Sequence, residues 1–595
     1  MAERDFAVYE YEGQTPPTTD TITTTAAAQD FETEVWNDGL VVATSDSRWT
    51  LQEDAKVLIG WDLGFGVGAT AMSPSRAEVL GRIRINGTAR PSGASQGYWR
   101  DDSSCDRGCL SAVGGFSLAS ADYFEFFARR SDGEGTSGDT DRLDEGGFWI
   151  YRIPDDWDMV KVQRSTSADA ASTSSKQYIT FNASIIEEGD WSYSGDTVSY
   201  SPTSDGEFVF LVGFSVEAES DAGAGSARHE LYTTIDYDDD ALGGFAERGK
   251  VSTYTRGLNG CTTHINALAT MIESTGETNG FEFKLGYYHD SASSATATPP
   301  AGGTSMWIVA VPKAEAEWFL VRKATGGQAA DTSGYVEYGT ADYLDTSYYT
   351  HPVAGQVEAE LVDDVWTMVF AHVFTELSGS RDNTARLNHE LTIRDNGAEQ
   401  MGGRCRSYNR GTQPNDETGK ACSAMIRSSE TETISLYHTQ ESSASDSVVD
   451  WSGDYDVRLM GMRVRGLLNR QADEAEGVAE AVEYETGFFI QADEAEGIQD
   501  APSRHLGLVR QQDATEGISE TSTHFMGLVR QVDETEGIAD EPLYWTGLVR
   551  QVDETEGVAD APEYVVSRSV FVRGNPTGRV AQAGGLMGNV ATEQT

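Results

Sequence analysis

Polar and apolar residues alternate in short runs over most of the first 465 positions, with Gly, Ser and Asp between the runs. A period of two marks strands with one face buried, and a period of 3.6 is almost nowhere sustained long enough for a helix. Three of the clearest runs are KVLIGWDLGF from Lys56, GEFVFLVGFSVEAE from Gly206 and DVWTMVFAHVFTEL from Asp364. Aromatic and β-branched residues fill all three, as a pleated, half-buried surface requires.

Set against itself, the chain shows these runs as counterparts in three units of roughly 150 residues, a period that fits a whole domain. Each unit opens with a short apolar segment: DFAVYEY from Asp5, DMVKVQ from Asp158 and WFLVRKA from Trp318. The central run is followed by a glycine- and serine-bearing turn and a partner strand: SRAEVLGRIRINGT from Ser75, ARHELYTTIDYDDD from Ala227 and ARLNHELTIRDNGA from Ala385. A Tyr-x-Arg element comes next (Tyr98 and Arg100, Tyr254 and Arg256, Tyr408 and Arg410), and each precedes a cysteine, Cys109, Cys261 or Cys422, after a loop of different length. A later strand pair closes each unit, as in DYFEFFARRS then GGFWIYRIP. The units run over 4–154, 157–312 and 317–465. Short alternating strands with frequent turns predict an all-β fold of three tandem antiparallel jelly-roll-like sandwiches.

From Gly466 a second, shorter repeat takes over, with internal glycines at Gly477, Gly497, Gly517, Gly537 and Gly557, 20 residues apart. In each copy a segment such as GLVRQV predicts a strand, and DETEGIADEP predicts a turn or one helical turn with Asp533 and Glu536 spaced as a capping box. One copy cannot bury an apolar face alone. The array at 466–566 is expected to stack as a solenoid or to pack against equivalent arrays of other subunits, giving an elongated spacer. Residues 567–595 hold one more apolar strand, SVFVR, and a Gly/Ala-rich tail.

The charge changes the picture of the surroundings. The net charge is -53, and only eight of the 43 basic residues are lysine. The excess is spread along the chain, so the surface repels itself wherever the Debye length is long; that length falls from about 10 Å at 0.1 M salt to about 3 Å at 1 M. The composition is that of a protein of molar salt. A cationic stripe for phosphate binding is not expected, which opposes a nucleic-acid role. The start, MAERDFAVYEYEGQ, has no basic segment followed by an apolar run, and no stretch approaches 18 apolar residues, so neither a secretory signal nor membrane insertion is expected.

The search for chemistry finds little. Gly64, Gly66 and Ala69 have a dinucleotide-fingerprint spacing, but TAMSPSRAEV follows where a helix is required, so a hairpin turn is the expectation. No nucleophile elbow, zinc-protease motif or phosphate loop is present. Five cysteines make neither a disulfide framework nor a repeated CxxC; Cys105 and Cys109 could pair or stay free, and the cysteine matched in each unit reads as a small core residue. His229 and His389 recur at a matched place on the partner strands, where the first unit has Ala77, which suggests packing or a contact between units. No catalytic residue is assigned. Carboxylates are too many for one pair to stand out as acid and base. The sequons at Asn86 and Asn182 matter only if a glycosylation system meets the chain. The candidate metal ligands are Asp533, Glu534 and Glu536 with Asp553, Glu554 and Glu556, which offer hard oxygens for calcium or magnesium without the D-x-D-x-D-G pattern.

Tandem sandwiches with this strand, Tyr-x-Arg and closing-strand pattern, followed by a GLVRQVDETEGIAD array, resemble surface structural proteins of tailed viruses that infect haloarchaea. The units are similar in pattern to jelly rolls of the C1q and tumour-necrosis-factor type used in phage fibres and head decorations. The resemblance implies a non-enzymatic virion protein without a cofactor, made in the host cytoplasm and placed on the virion surface as a turret, spike or fibre. It implies a homo-oligomer, trimer first and pentamer next, touching other virion proteins and the host surface layer or its glycans. The alternatives are a secreted haloarchaeal adhesin or carbohydrate-binding protein, and a fibre-borne polysaccharide depolymerase.

Overall fold

The computed structural model describes the strands and most of the turns between Phe6 and Glu593. Residues 1–5, 594–595 and the longer connections (11–20, 68–75, 101–105, 131–139, 222–227, 257–262, 290–295, 324–333, 351–357, 379–385, 411–416, 443–447, 451–456 and 481–487 among them) lie outside the described residues, and from 465 onward the description is of backbone strands. The chain is all-β; its described non-strand helical element is the single 3-10 turn Lys313–Glu315. It divides into two compact units, one spanning Phe6–Val464 and the other holding Arg465–Thr595.

The first unit contains three sandwiches of one topology. In each, five strands of a six-strand sheet run in the order seam strand, central strand, last strand, opening strand and edge strand, with one short strand paired beside that path. In the first sandwich these are Arg107–Leu118, Ala55–Val67, Thr140–Arg152, Phe6–Glu10 and Thr33–Asn37. The second uses Thr263–Glu273, Phe208–Ser220, Thr304–Pro312, Asp158–Arg164 and Ala183–Glu187, and the third Glu417–Ser428, Val365–Ser378, Val457–Arg463, Trp318–Lys323 and Thr340–Leu344. The facing sheet of each begins with the tyrosine-bearing strand: Ser95–Arg100, Ala246–Arg256 or Ala398–Arg410, paired to Arg76–Ile85, Arg228–Asp239 or Arg386–Asp395. Every pairing within the sandwiches is antiparallel, for example Trp61 opposite Ala112 and Phe148.

Two expectations change here. The central run and its partner do not form a hairpin; they lie in opposite sheets and face each other across the core. Alternation reports which face of a strand is buried, but not which strand lies beside it. Likewise Gly64 and Gly66 sit inside the strand Ala55–Val67 and not in a turn, while Ala69 lies outside the described residues.

Each sandwich closes over its own aromatic core. In the first, Trp49 and Phe148 pack with ring centroids 4.5 Å apart, and Phe31, Phe124 and Phe126 surround them. The same irregularity marks all three edge strands: the register slips between Val8 and Tyr9, between Lys161 and Val162, and between Leu320 and Val321. The extra residues at the bulges are Val35, Ile185 and Asp342. Bulges bend an edge away from further pairing, which suits strands that end a sheet.

The second unit is built differently. Its strands are parallel, and the main ladder pairs at a step of 20 residues: Leu468 with Phe488, Phe488 with Leu508, Leu508 with Leu528, Leu528 with Leu548 and Leu548 with Arg568; near the end, Ala559 pairs with Ala581 at a step of 22. A second ladder of short strands stacks Arg504–His505, His524–Phe525, Tyr544–Trp545 and Tyr564–Val565. This is the solenoid reading of the array. The expected helical turn is absent from the described residues, where the strand Leu528–Thr535 is followed by another, Ile538–Asp540. The step of 20 continues into the tail, with Ser569 opposite Asn589.

Candidate functional site: the axis where the sandwiches meet

The three sandwiches close on one another through three seams made from the same parts. In each seam the tyrosine-bearing strand of one sandwich packs against the seam strand of another, the first on the second, the second on the third and the third on the first. The hydrogen bonds keep this cyclic order. Ile265 N–H donates to Gln96 Oε1 (2.6 Å), Gly419 N–H donates to Ser252 Oγ (3.1 Å), and the Arg406 guanidinium donates to Gly108 O (3.4 Å). Gln96, Ser252 and Arg406 each stand two residues before the tyrosine of their sandwich. A ring of three related modules is therefore complete within one chain.

The tyrosines mark the axis of that ring. Tyr98, Tyr254 and Tyr408 come together with centroid separations of 5.8, 5.1 and 5.6 Å, tilted or edge-on to one another as aromatic quadrupoles prefer. The arginine side chains of the Tyr-x-Arg element lie outside the described residues. Beside the tyrosines a small cavity, with about 10 Å³ of room for a water's centre, is lined by counterpart residues including Ser95, Val251 and Cys405. Buried carboxylates stand nearby in the same register: Glu78 pairs with Tyr98 and Glu230 with Tyr254, and the third sandwich has Asn388 opposite Tyr408. Glu78 accepts from Gln96 Nε2, Glu230 from Ser252 Oγ (2.7 Å), and Asn388 Nδ2 donates across the seam to Arg107 O (2.9 Å). Each of these contacts gives a buried polar atom a hydrogen-bond partner, which lowers the cost of burying it.

A shared apolar core lies under the seams and draws on all three sandwiches, from Phe6 and Leu58 through Trp307 and Leu211 to Phe370 and Met460. Trp149 donates its indole N–H to Ser423 Oγ (3.3 Å) in the third sandwich, and Trp307 donates to Val113 O (3.2 Å) in the first. Each indole covers a glycine on the neighbouring strand: a Cβ on Gly60 would stand 2.2 Å from Trp149, and one on Gly213 would stand 2.3 Å from Trp307. The third sandwich solves the same volume the other way round. Phe370 replaces the glycine and Met460 replaces the tryptophan, and Met460 Sδ accepts from Met271 N–H (3.4 Å) of the second sandwich. Large and small have exchanged places with the packing kept, as interiors of crystal-like density demand.

Three of the eight lysines reach from one sandwich toward the next. Lys161 donates to Gly115 O (2.7 Å) and lies 4.3 Å from the Phe116 ring, and burial, with Arg90 nearby, pushes its ammonium down to about 7. Lys56 donates to Trp157 O (2.7 Å), and Lys250 lies 4.2 Å from the ring of Phe374 in the third sandwich. A compact ammonium on a flexible stem reaches a carbonyl or a ring face where a guanidinium fork would not fit.

The second sandwich also buries a histidine cluster. His229 Nδ1 and His264 Nε2 are 2.7 Å apart, and the His229 and His289 rings are 5.3 Å apart. His264 Nδ1 donates to Thr253 O (3.0 Å), which leaves its Nε2 to accept from His229. His229 Nε2 has no hydrogen-bond partner among the described residues. Burial first, then the neighbouring imidazole, pushes His229 down to about 3 and His264 well below the ordinary range. His389 beside His438 in the third sandwich is pushed to about 3 for the same reasons. The register corrects the sequence match: His229 pairs with Thr255, one after the tyrosine, as Ala77 pairs with Trp99, whereas His389 pairs with Ser407, one before it. These histidines pack a core.

The matched cysteines are not counterparts either. Cys109 stands opposite Gly64, four residues before Val113, where the second sandwich has Ile265 and the third Gly419; Cys422 corresponds to Ala112 and Leu268. Loops of different length before each cysteine make them look equivalent in the sequence. Cys109, Cys405 and Cys422 are free and buried, while Cys105 and Cys261 lie outside the described residues.

Among the described residues no group of three His, Cys, Asp or Glu is placed to hold a metal ion. Of the candidate ligands in the array, Asp533 and Glu534 belong to the strand Leu528–Thr535 and Asp553 and Glu554 to Leu548–Thr555; Glu536 and Glu556 lie outside the described residues. The parallel register brings Glu534 beside Glu554, Asp540 beside Asp560 and Arg530 beside Arg550.

No family model matches the chain, and no curated protein matches it. Among solved structures it is similar to crystal structures of murine APRIL at pH 5.0 and pH 8.0, each at 10% identity, covering 26% of this chain and 99% of that chain with a TM-score of 0.19. A third, at pH 8.5, has 9% identity and a TM-score of 0.18 over the same shares.

Proposed function

We propose that this chain is a non-enzymatic virion structural protein that forms a surface projection, a capsid turret, spike or fibre, and contacts the host cell surface. The observation that carries the reading is how the axis is used. Its tyrosines, buried carboxylates and indoles are engaged in holding three sandwiches together as one block, and a uniform coil stack follows in the same chain. Such a design works by shape. The acidic surface keeps such a projection soluble in concentrated salt. Further copies of the chain would join through surfaces outside the three seams, which are already occupied.

Imaging particles labelled with antibody against this chain tests the proposal. Label on regular projections of the virion is the expected result; label confined to host cells would overturn it. Incubation with purified host surface glycan completes the test, since shortening of the glycan chains would replace the structural reading with an enzymatic one.

A further inference from the structure

The residues that meet at the axis stand in layers, because every second residue of the tyrosine-bearing strands lies on the face turned to a neighbouring sandwich. Gln96, Ser252 and Arg406 make one layer, bonded across the seams, and Tyr98, Tyr254 and Tyr408 make the next. Two residues further on, about 7 Å along each strand, come Arg100, Arg256 and Arg410. In all three sandwiches that arginine is the last residue of its strand, and it stands opposite a second arginine that is the first residue of the partner strand. Arg100 pairs with Arg76, Arg256 with Arg228 and Arg410 with Arg386. Six arginines thus share one end of the ring.

Sheet formation does not ask for this arrangement. Like charges directly opposite one another across an antiparallel pair repel, and a chain with 96 acidic residues against 43 basic ones has ample means to set a carboxylate beside each arginine. Yet no carboxylate recurs with the arginines. The tyrosine layer beneath offers Glu78 and Glu230 but Asn388 in the third place, and Gln96 and Ser252 already donate to those two acids. The segments that follow the arginines are DDSSCD in the first sandwich, GLNGCT in the second and GTQPND in the third, so the second arginine pair is followed by no acid at all. A charge repeated threefold at a cost, without a repeated partner in the chain, calls for a partner from outside it. Guanidinium forks arranged about one axis match an anion that carries several equivalent oxygens.

We propose that Arg100, Arg256 and Arg410, backed by Arg76, Arg228 and Arg386, bind a tetrahedral oxyanion at this end of the axis: phosphate, sulfate or a monoester of either. Paired hydrogen bonds from a fork act at contact, within the Debye length of roughly 3 Å at 1 M salt, so they persist where longer-range attraction is screened. A monatomic anion offers no second oxygen to a fork and competes poorly for the site.

The test titrates the intact protein with inorganic phosphate in molar sodium chloride, followed by calorimetry and by phosphorus NMR. The expected result is saturable binding of one phosphate per chain, weakened about tenfold in Arg256→Gln and lost when Arg100, Arg256 and Arg410 are all changed to Gln. Without phosphate, Arg256→Gln should melt no lower than the unaltered protein, because it removes one member of a repelling pair. A lower melting point would mean that the chain's own acids hold Arg256, and it would overturn the proposal. So would the absence of saturable binding, or equal binding by the triple variant. Glucose 6-sulfate distinguishes the two sources of the ligand: displacement of phosphate assigns the site to ester groups on a larger molecule, and failure to displace it assigns the site to the free ion.

Discussion

The two units of this chain repeat themselves by opposite rules. The sandwiches recur at a long period with diverged sequences, because each buries its own core and only the seams must agree. There a Gly–Trp pair in two modules can become Phe–Met in the third without loss of fit. The coils recur every 20 residues nearly verbatim, because a parallel ladder sets each residue beside its own counterpart and a change in one coil is felt in two others. Divergence is allowed where the repeat is self-sufficient, and it is suppressed where the repeat is completed by its neighbours.

The sharpest way to break that comparison is at a seam. Trp149→Ala removes an indole that fills the space over Gly60 and bonds to Ser423, and it should cost about 3–5 kcal/mol, read from denaturant unfolding of the sandwich unit. Met460→Leu, which nearly conserves volume at the counterpart position, should cost less than about 1.5 kcal/mol. Equal losses would mean that the two positions are not counterparts.

Acid should come next. His229, His264 and His389 are held neutral in the fold, with protonation pushed down to about 3 for His229 and His389 and well below the ordinary range for His264. The unfolded chain takes up these protons near pH 6.5, so it binds more protons than the fold between about 6.5 and 3. The stability these groups contribute is full above that window and is lost as pH falls through it, on the order of 1 kcal/mol per pH unit for each group. Melting of the sandwich unit followed from pH 7 to pH 4 should show the decline, and His229→Gln should flatten it. A melting temperature constant over that range would contradict the buried-imidazole account.

The coil stack should respond instead to salt and to register. Like charges at adjacent register positions, such as Glu534 beside Glu554, stand about 4.8 Å apart by backbone and repel by a few tenths of a kcal/mol each, a penalty that molar salt screens. Lowering salt to about 0.1 M should therefore melt the solenoid before the sandwiches. Removing 20 residues, one whole coil, should move the sandwich melting point by no more than the equivalent of about 0.5 kcal/mol. Removing 19 should disrupt the stack, because a one-residue slip turns every side chain of a strand to the other face. Circular dichroism of the two deletions separates these outcomes.

Much of this architecture could be read from the residues. Alternation gave the strands, the long self-match gave three sandwiches, and the constant spacing of Gly477, Gly497, Gly517, Gly537 and Gly557 gave the coil length. The tyrosine element was visible as a repeat, but its meaning was not, because Tyr98, Tyr254 and Tyr408 meet only after three modules have folded and docked. Strand partners were misjudged because alternation is the same whether a neighbour lies beside a strand or across the core. The histidines look matched because a shift by two preserves the buried face, whereas loops of unequal length leave Cys422 three positions beyond the counterpart of Cys109, on the other face of its strand. The sequence does carry a signal of the seam: Gly60 and Gly213 stand in the same column where the third unit has Phe370, and a glycine in the middle of a strand marks a close approach by whatever lies on top of it.

The claim on which the rest depends is that a single chain completes the ring. Single-particle electron microscopy of the intact protein tests it directly, by tracing density through Ile153–Trp157 and through Lys313–Glu315. The expected map shows both linkers joining neighbouring sandwiches of the same ring, with the three tyrosines of one chain at its centre. A map in which the sandwiches around one axis come from three different chains, or stand apart along an extended chain, would contradict the account.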